Sequence, residues 1–183
     1  MPTWAWILII AVAVVVLAAV AWAALTARRR RSLQSRFGPE YDRTLSDAPT
    51  RREAESELRE RERRRDELDI RPLDAASRGR YLREWERVQA DFVDDPGAAV
   101  AEADALIQRV MRERGYPVED FEQRAADLSV DHADVVDHYR AGHATSRRHA
   151  REEADTEELR QAVVHYRALF DTLLAEEPAR AER

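Results

Sequence analysis

Residues 156–174, TEELRQAVVHYRALFDTLL, carry the cleanest periodic signal in the chain. Leu159, Val163, Tyr166, Phe170 and Leu173 recur at steps of four, three, four and three, which is the repeat of one helix face. Five large apolar side chains on one stripe must be covered by other elements, so this helix belongs to a packed core rather than to a free arm. Thr156 is placed to start it, and Pro178 marks a tail, residues 177–183, expected to be disordered.

The segments before it read the same way. Tyr81, Trp85, Val88 and Phe92 stripe a helix expected from Asp74 to about Val93. Asp94-Asp95-Pro96 then stops and restarts the chain, with Asp95 as N-cap and Pro96 at the first helical position. Val100, Ala103, Ile107 and Val110 stripe the next helix, which Gly115 is placed to end. The joining turn is so short that these two helices are expected to form an antiparallel hairpin. Tyr116-Pro117 leads into a shorter helix carrying Phe121, Ala125 and Leu128. Ser129 is positioned to cap a longer one, with Val135, Tyr139 and Gly142 or His143 on one face. Arg147 to Asp155 is polar and reads either as the end of that helix or as a loop. No segment alternates apolar and polar residues as a half-buried strand would. The fold class is therefore all-α, with residues 70–176 as a bundle of four to five helices. The string His138-Tyr139-Arg140-Ala141 recurs as His165-Tyr166-Arg167-Ala168, so two helices present similar faces to one core, or the match is chance; four residues do not establish a duplication.

Upstream, the chain changes character. From Arg51 to Leu68 it is dominated by Arg and Glu, with Glu55/Arg59, Glu57/Arg61 and Glu60/Arg64 in the favourable order at four-residue spacing. Thr50 and Glu53 form a capping-box pattern at its start. Ala54, Leu58 and Leu68 are its few apolar positions, so it reads as a solvated spacer helix, ended by Ile70-Arg71-Pro72-Leu73. Gly38-Pro39 breaks whatever helix precedes it. Together residues 28–69 form a basic juxtamembrane neck and charged spacer.

The neck takes that name from residues 4–25, an uncharged apolar run from Trp4 to Leu25. At 1.5 Å per residue it makes about 33 Å of helix, enough to cross a hydrocarbon core of about 30 Å. Trp4, Trp6 and Trp22 lie toward its ends, where indole rings favour the headgroup boundary. Arg28, Arg29, Arg30 and Arg31 follow, while no basic side chain precedes the run. The positive-inside rule puts the N-terminus outside and the remaining chain in the cytoplasm, held at the cell membrane by a single pass. A cleaved signal peptide would want a basic n-region and a shorter apolar core, and Met1-Pro2-Thr3 supplies no basic side chain.

Charge follows the same division. All thirty basic residues are Arg, and Lys, Asn and Cys are absent, a usage expected of a GC-rich genome. Residues 28–65 hold 13 Arg against 8 acids, and residues 66–183 hold 17 Arg against 28 acids, so a net +5 precedes a net −11. The basic part suits an anionic lipid leaflet, at about 1 kcal/mol per Arg near the surface. The acidic part argues against nucleic acid as a partner, since phosphate neutralisation needs a basic footprint.

Signals for chemistry are few. Without Cys there is no thiolate nucleophile or thiolate metal site, and neither a G-x-S-x-G elbow nor a phosphate-cradling Gly loop is present. His132, His138, His143 and His149 are spaced by six, five and six, not the three or four that put metal ligands on one helix face. Asp134 and His138 are an i, i+4 pair but only half a site, which a His from another helix, such as His165, would have to complete. No catalytic residue, cofactor or metal is assigned, and the chain is not expected to be an enzyme. The aromatic residues read as core. Arg71 and Tyr116, each beside a proline, are expected at an exposed recognition corner, and His138 and His165 are added as possible recognition residues.

Arg36-Phe37-Gly38-Pro39-Glu40-Tyr41, Ile70-Arg71-Pro72-Leu73, Arg114-Gly115-Tyr116-Pro117, Leu128-Ser129-Val130-Asp131-His132 and His165-Tyr166-Arg167 resemble a family of uncharacterised bacterial proteins with an N-terminal membrane segment and a helical remainder. The similarity runs over most of residues 30–175 and implies no activity, cofactor or catalytic residue. The expected function is a protein-binding scaffold or adaptor at the membrane, with membrane lipids and another protein as partners. The alternative is a small-ligand or metal sensor using the His-rich and aromatic helices of residues 130–170. The sequence sets no oligomeric state.

Overall fold

The computed structural model describes residues 3–175, with side chains from Val14 onward. Among them every regular element is helical: α1 (Thr3–Phe37), α2 (Pro39–Asp47), α3 (Arg51–Glu67), α4 (Ala75–Asp91), α5 (Pro96–Arg114), α6 (Phe121–Asp131), α7 (Val136–His149) and α8 (Thr156–Leu174). The chain divides into two compact units between Arg59 and Glu60, inside α3.

In the first unit α1 ends where Gly38 takes a φ of 47°, a left-handed conformation that costs a Cβ-free residue little. Pro39 then occupies the start of α2, where its missing N–H would be unpaired anyway. Leu33 and Phe37, one turn apart at the end of α1, are buried, as are Tyr41 and Thr44 of α2. The Tyr41 hydroxyl donates to Glu55 Oε1 of α3 at 3.2 Å. Thr50 Oγ1 accepts the Glu53 N–H at 3.3 Å, the cap its position implies. Along α1, Val14, Val15, Val16, Leu17, Val20, Trp22 and Leu25 are each more than half exposed, and Arg28 to Arg31 are exposed as well. Among the described residues no helix is long and apolar enough to cross a membrane. The part of the Trp4–Leu25 run before Val14, with Trp4 and Trp6, lies outside the described side chains, and the tail 177–183 lies outside the described residues.

The second unit is a bundle of five helices, α4 to α8, joined by the last turns of α3. Aspartates start four of the five. Asp74, Asp95, Asp120 and Asp155 accept the N–H of Ser77, Ala98, Gln123 and Glu158 at 2.7–2.9 Å. Glu158 returns the contact to the Asp155 N–H at 2.9 Å, completing a capping box one residue before Thr156. Each such cap stabilises its helix by about 1 kcal/mol. The expected hairpin of α4 and α5 is antiparallel: Tyr81 donates to Glu113 Oε2 at 2.6 Å while Arg109 meets Glu84 at 3.1 Å. Inside the bundle Trp85 stacks on Phe170 with ring centroids 4.7 Å apart, and Ile107, Met111, Tyr139, Tyr166 and Leu169 are fully buried.

Two local expectations change. Ser129 does not cap α7; it lies within α6, where its hydroxyl donates to Ala126 O at 2.6 Å. His132 instead ends α6 by donating its N–H to Leu128 O at 2.8 Å, and α7 starts four residues later without a side-chain cap. Nor is the charged helix solvated throughout. Arg61 reaches Ser129 Oγ at 3.2 Å, Arg64 reaches the fully buried Asp127 carboxylate at 3.3 Å, and Arg65 pairs with Asp131 with both side chains less than a tenth exposed. Arginines in an Arg/Glu-rich run look solvated because their partners on α6, Ser129 and the carboxylates of Asp127 and Asp131, are more than sixty positions away.

Candidate functional site

The helices α5 to α8 bring together a largely buried polar cluster. Arg124 of α6, itself buried, donates Nε–H to the Tyr139 hydroxyl of α7 at 2.9 Å and a second guanidinium hydrogen to Val118 O. Asp104 of α5 accepts from Gln108 Nε2 at 2.6 Å, while its other oxygen and the Tyr166 hydroxyl of α8 are shut off from solvent without a partner in hydrogen-bond geometry. Burial, with the charge of Asp104 added, pushes both Tyr139 and Tyr166 far above the usual phenol range. His143 of α7 stacks on Phe121 with centroids 3.5 Å apart, and burial lowers its pKa. Tyr139 and Tyr166 expose no surface, so they offer a substrate no approach. Within the cluster the Arg124–Tyr139 hydrogen bond ties α6 to α7.

Next to it, at the surface, α7 and α8 bring His138 and His165 together. Their Nδ1 atoms are 2.8 Å apart and their ring centroids 5.1 Å apart. The repeated string explains the meeting. Each His precedes a fully buried Tyr, Tyr139 and Tyr166, whose rings lie 6.2 Å apart in the core, so the preceding side chains emerge side by side. Asp134 takes no part as a helical ligand, because it sits in the turn before α7. Among the described residues no group of three or more His, Asp or Glu is placed to hold a metal ion.

A third feature lies between α4 and α8. Gln89 and Phe92 on one side and Arg160, Val163 and Val164 on the other line a shallow, mainly apolar groove of about 190 Å³. Val164 is half exposed, and Val93, next to Phe92, is 83% exposed. The groove is missed when only the core stripe is read. Its signal is the second valine of Val163-Val164, an apolar residue beside the stripe with no core position to fill.

The expected recognition corner does not form. Tyr116 is 2% exposed, its N–H donating to Met111 O at 2.9 Å and its hydroxyl to Asp131 at 3.4 Å. Arg71 does point outward, where it pairs with Asp69 at 2.7 Å, while its backbone N–H donates to Arg114 O at 2.8 Å. A proline neighbour fixes backbone direction, not side-chain exposure, and here the turn after Gly115 folds the Tyr116 ring inward. No protein-family model, curated protein or solved structure matches this chain.

Proposed function

We propose that this chain is a single-pass membrane protein whose helical bundle docks another protein through the groove between α4 and α8. The observation that carries the docking reading is the groove itself. Phe92, Val93, Val163 and Val164 leave apolar surface in water on a bundle whose exterior is otherwise laced with ion pairs such as Arg80–Glu113 and Arg109–Glu102. In this reading that apolar surface, rimmed by charge, is the seat for another protein. Its size suits one or two apolar anchor side chains from an amphipathic partner helix.

The anchor reading rests on the Trp4–Leu25 run, on its length of about 33 Å as a helix, and on the apolar side chains that α1 leaves exposed from Val14 to Leu25. Arg28 to Arg31 supply the cytoplasmic flank and the contact with anionic lipid. In this reading the N-terminus is outside and the bundle is cytoplasmic, acting as a scaffold or adaptor.

A photo-crosslinking residue at Gln89 in the full chain, in its membrane, should give one discrete protein adduct, which Val164→Asp abolishes without loss of helicity. No adduct, or an adduct indifferent to Val164→Asp, would overturn the docking reading. Alkaline carbonate should leave the chain in the membrane pellet, and its release would overturn the anchor. Alkaline-phosphatase activity from a fusion after Arg183 would overturn the cytoplasmic placement.

A further inference from the structure

We propose that His138 and His165 form a bidentate surface site for a divalent transition-metal ion of the kind imidazole binds: copper(II), nickel(II) or zinc. The proposal is independent of the docking groove, which shares no residue with the pair.

Geometry comes first. Two ligand nitrogens about 2.0 Å from one ion and at right angles to each other stand about 2.9 Å apart, whereas a tetrahedral ion spreads them to about 3.3 Å. The two Nδ1 atoms are already 2.8 Å apart. The ring centroids stand 5.1 Å apart, the Nδ1–Nδ1 distance plus the two lengths from ring centre to nitrogen, so the nitrogens face each other along one line as a hydrogen-bonded pair. An ion replaces that hydrogen bond once the two rings turn about their side-chain bonds and both lone pairs converge on it, with the helices left in place. Imidazole is the ligand that copper(II), nickel(II) and zinc share, so the pair suits any of the three.

Rigidity comes second. Tyr139 and Tyr166 anchor the neighbouring positions at full burial, and Gly142 packs against the Tyr166 ring. At the other end of the hairpin Arg148 pairs with Glu158 at 2.6 Å. A site whose Cα atoms are locked this way loses little entropy when an ion binds. Exposure comes third. The contact is solvent-facing, so an ion can enter. With no third His, Asp or Glu grouped with the pair among the described residues, the ion would keep open positions for water or a ligand from outside the chain.

The test is a titration of the full chain in detergent with copper(II) alone, read by calorimetry and by electron paramagnetic resonance. One ion per chain should bind, with nitrogen hyperfine structure from two imidazoles. His138→Gln and His165→Gln should each weaken binding by about tenfold or more and leave one coupled nitrogen. His149→Gln, a histidine outside the pair, should bind as the parent does. Unchanged affinity in both His138→Gln and His165→Gln, or a two-nitrogen signal that persists in either, would overturn the site. Circular dichroism on the same samples keeps a folding defect from passing as lost binding. If His138→Gln were misfolded, the nitrogen count in the parent alone would still decide, one nitrogen or none refuting the pair.

Discussion

Gly142 of α7 lies directly against the ring of Tyr166 of α8: a Cβ added there would stand 3.0 Å from Cε1 and 3.1 Å from Cδ1 and Cζ. That approach sets how closely the last two helices pack, and with it the position of the polar cluster and of the His138–His165 contact. Ala at this position gains about 1 kcal/mol of helix propensity but overpacks a ring that has nowhere to go, at about 2 kcal/mol. Gly142→Ala should therefore lose about 1 kcal/mol of stability and Gly142→Val about 3 kcal/mol, measured by urea unfolding. A stabilised Gly142→Ala would show that the Tyr166 ring yields.

Arg114 is 1% exposed, yet it is a tie rather than a site. Its Nε–H donates to Arg71 O at 3.2 Å and a terminal nitrogen donates to Leu173 O at 2.9 Å, joining the loop before α4 to the last turn of α8. A cation there also meets the negative end of the α8 dipole. Arg114→Met keeps the volume but leaves both carbonyls short of a charged donor, and should cost about 3 kcal/mol in denaturant unfolding. Hydrogen exchange should speed up first at the end of α8.

Alkaline pH should unfold the bundle through its tyrosines. Tyr139 and Tyr166 are held as phenols by burial, so both ionise more readily in the unfolded chain. The stability they contribute is complete below the ordinary phenol pKa of about 10 and is lost as pH rises above it. In a titration followed by tyrosinate absorbance, these two should ionise together with the loss of helicity, not before it. Tyr166→Phe should raise the pH of alkaline unfolding, and an unchanged midpoint would refute the assignment.

His143 gives the opposite, acidic dependence. Burial is the main cause of its lowered pKa; the charges around it are Asp104 from α5, Arg124 and Glu122 from α6, and Arg147 on its own helix. Because the unfolded chain binds the proton more readily, His143 contributes stability above about pH 6.5 that is lost as pH falls below it. Urea midpoints taken between pH 7.5 and 5.5 should fall for the parent and fall less steeply for His143→Leu. Equal slopes would mean that the stacked imidazole is not desolvated.

Much of the bundle was legible because its cues are local. The stripes of α4, α5 and α8, the Asp95-Pro96 restart and the Gly115 stop each act within a few residues. Where the reading missed, the partner was distant or hidden. Ser129 had the residue type of a cap, but the turn at His132 and the contact with Arg61 decided its place. Tyr116 had a proline neighbour that suggested exposure, while packing drew its ring inside.

By itself, then, the sequence determined that the described chain is helical and where most of its helices start and stop, since caps, breakers and the 3.6-residue period are properties of short segments. It also carried the apolar run from Trp4 to Leu25 and the basic cluster behind it. Only the tertiary structure decided that His138 meets His165, that Asp104, Arg124, Tyr139 and Tyr166 gather between α5, α6, α7 and α8, and that Val163 and Val164 edge a groove with Phe92. Those neighbours lie on separate helices, and the register between helices is set by how side chains such as Tyr166 and Gly142 interlock, which no single helix encodes.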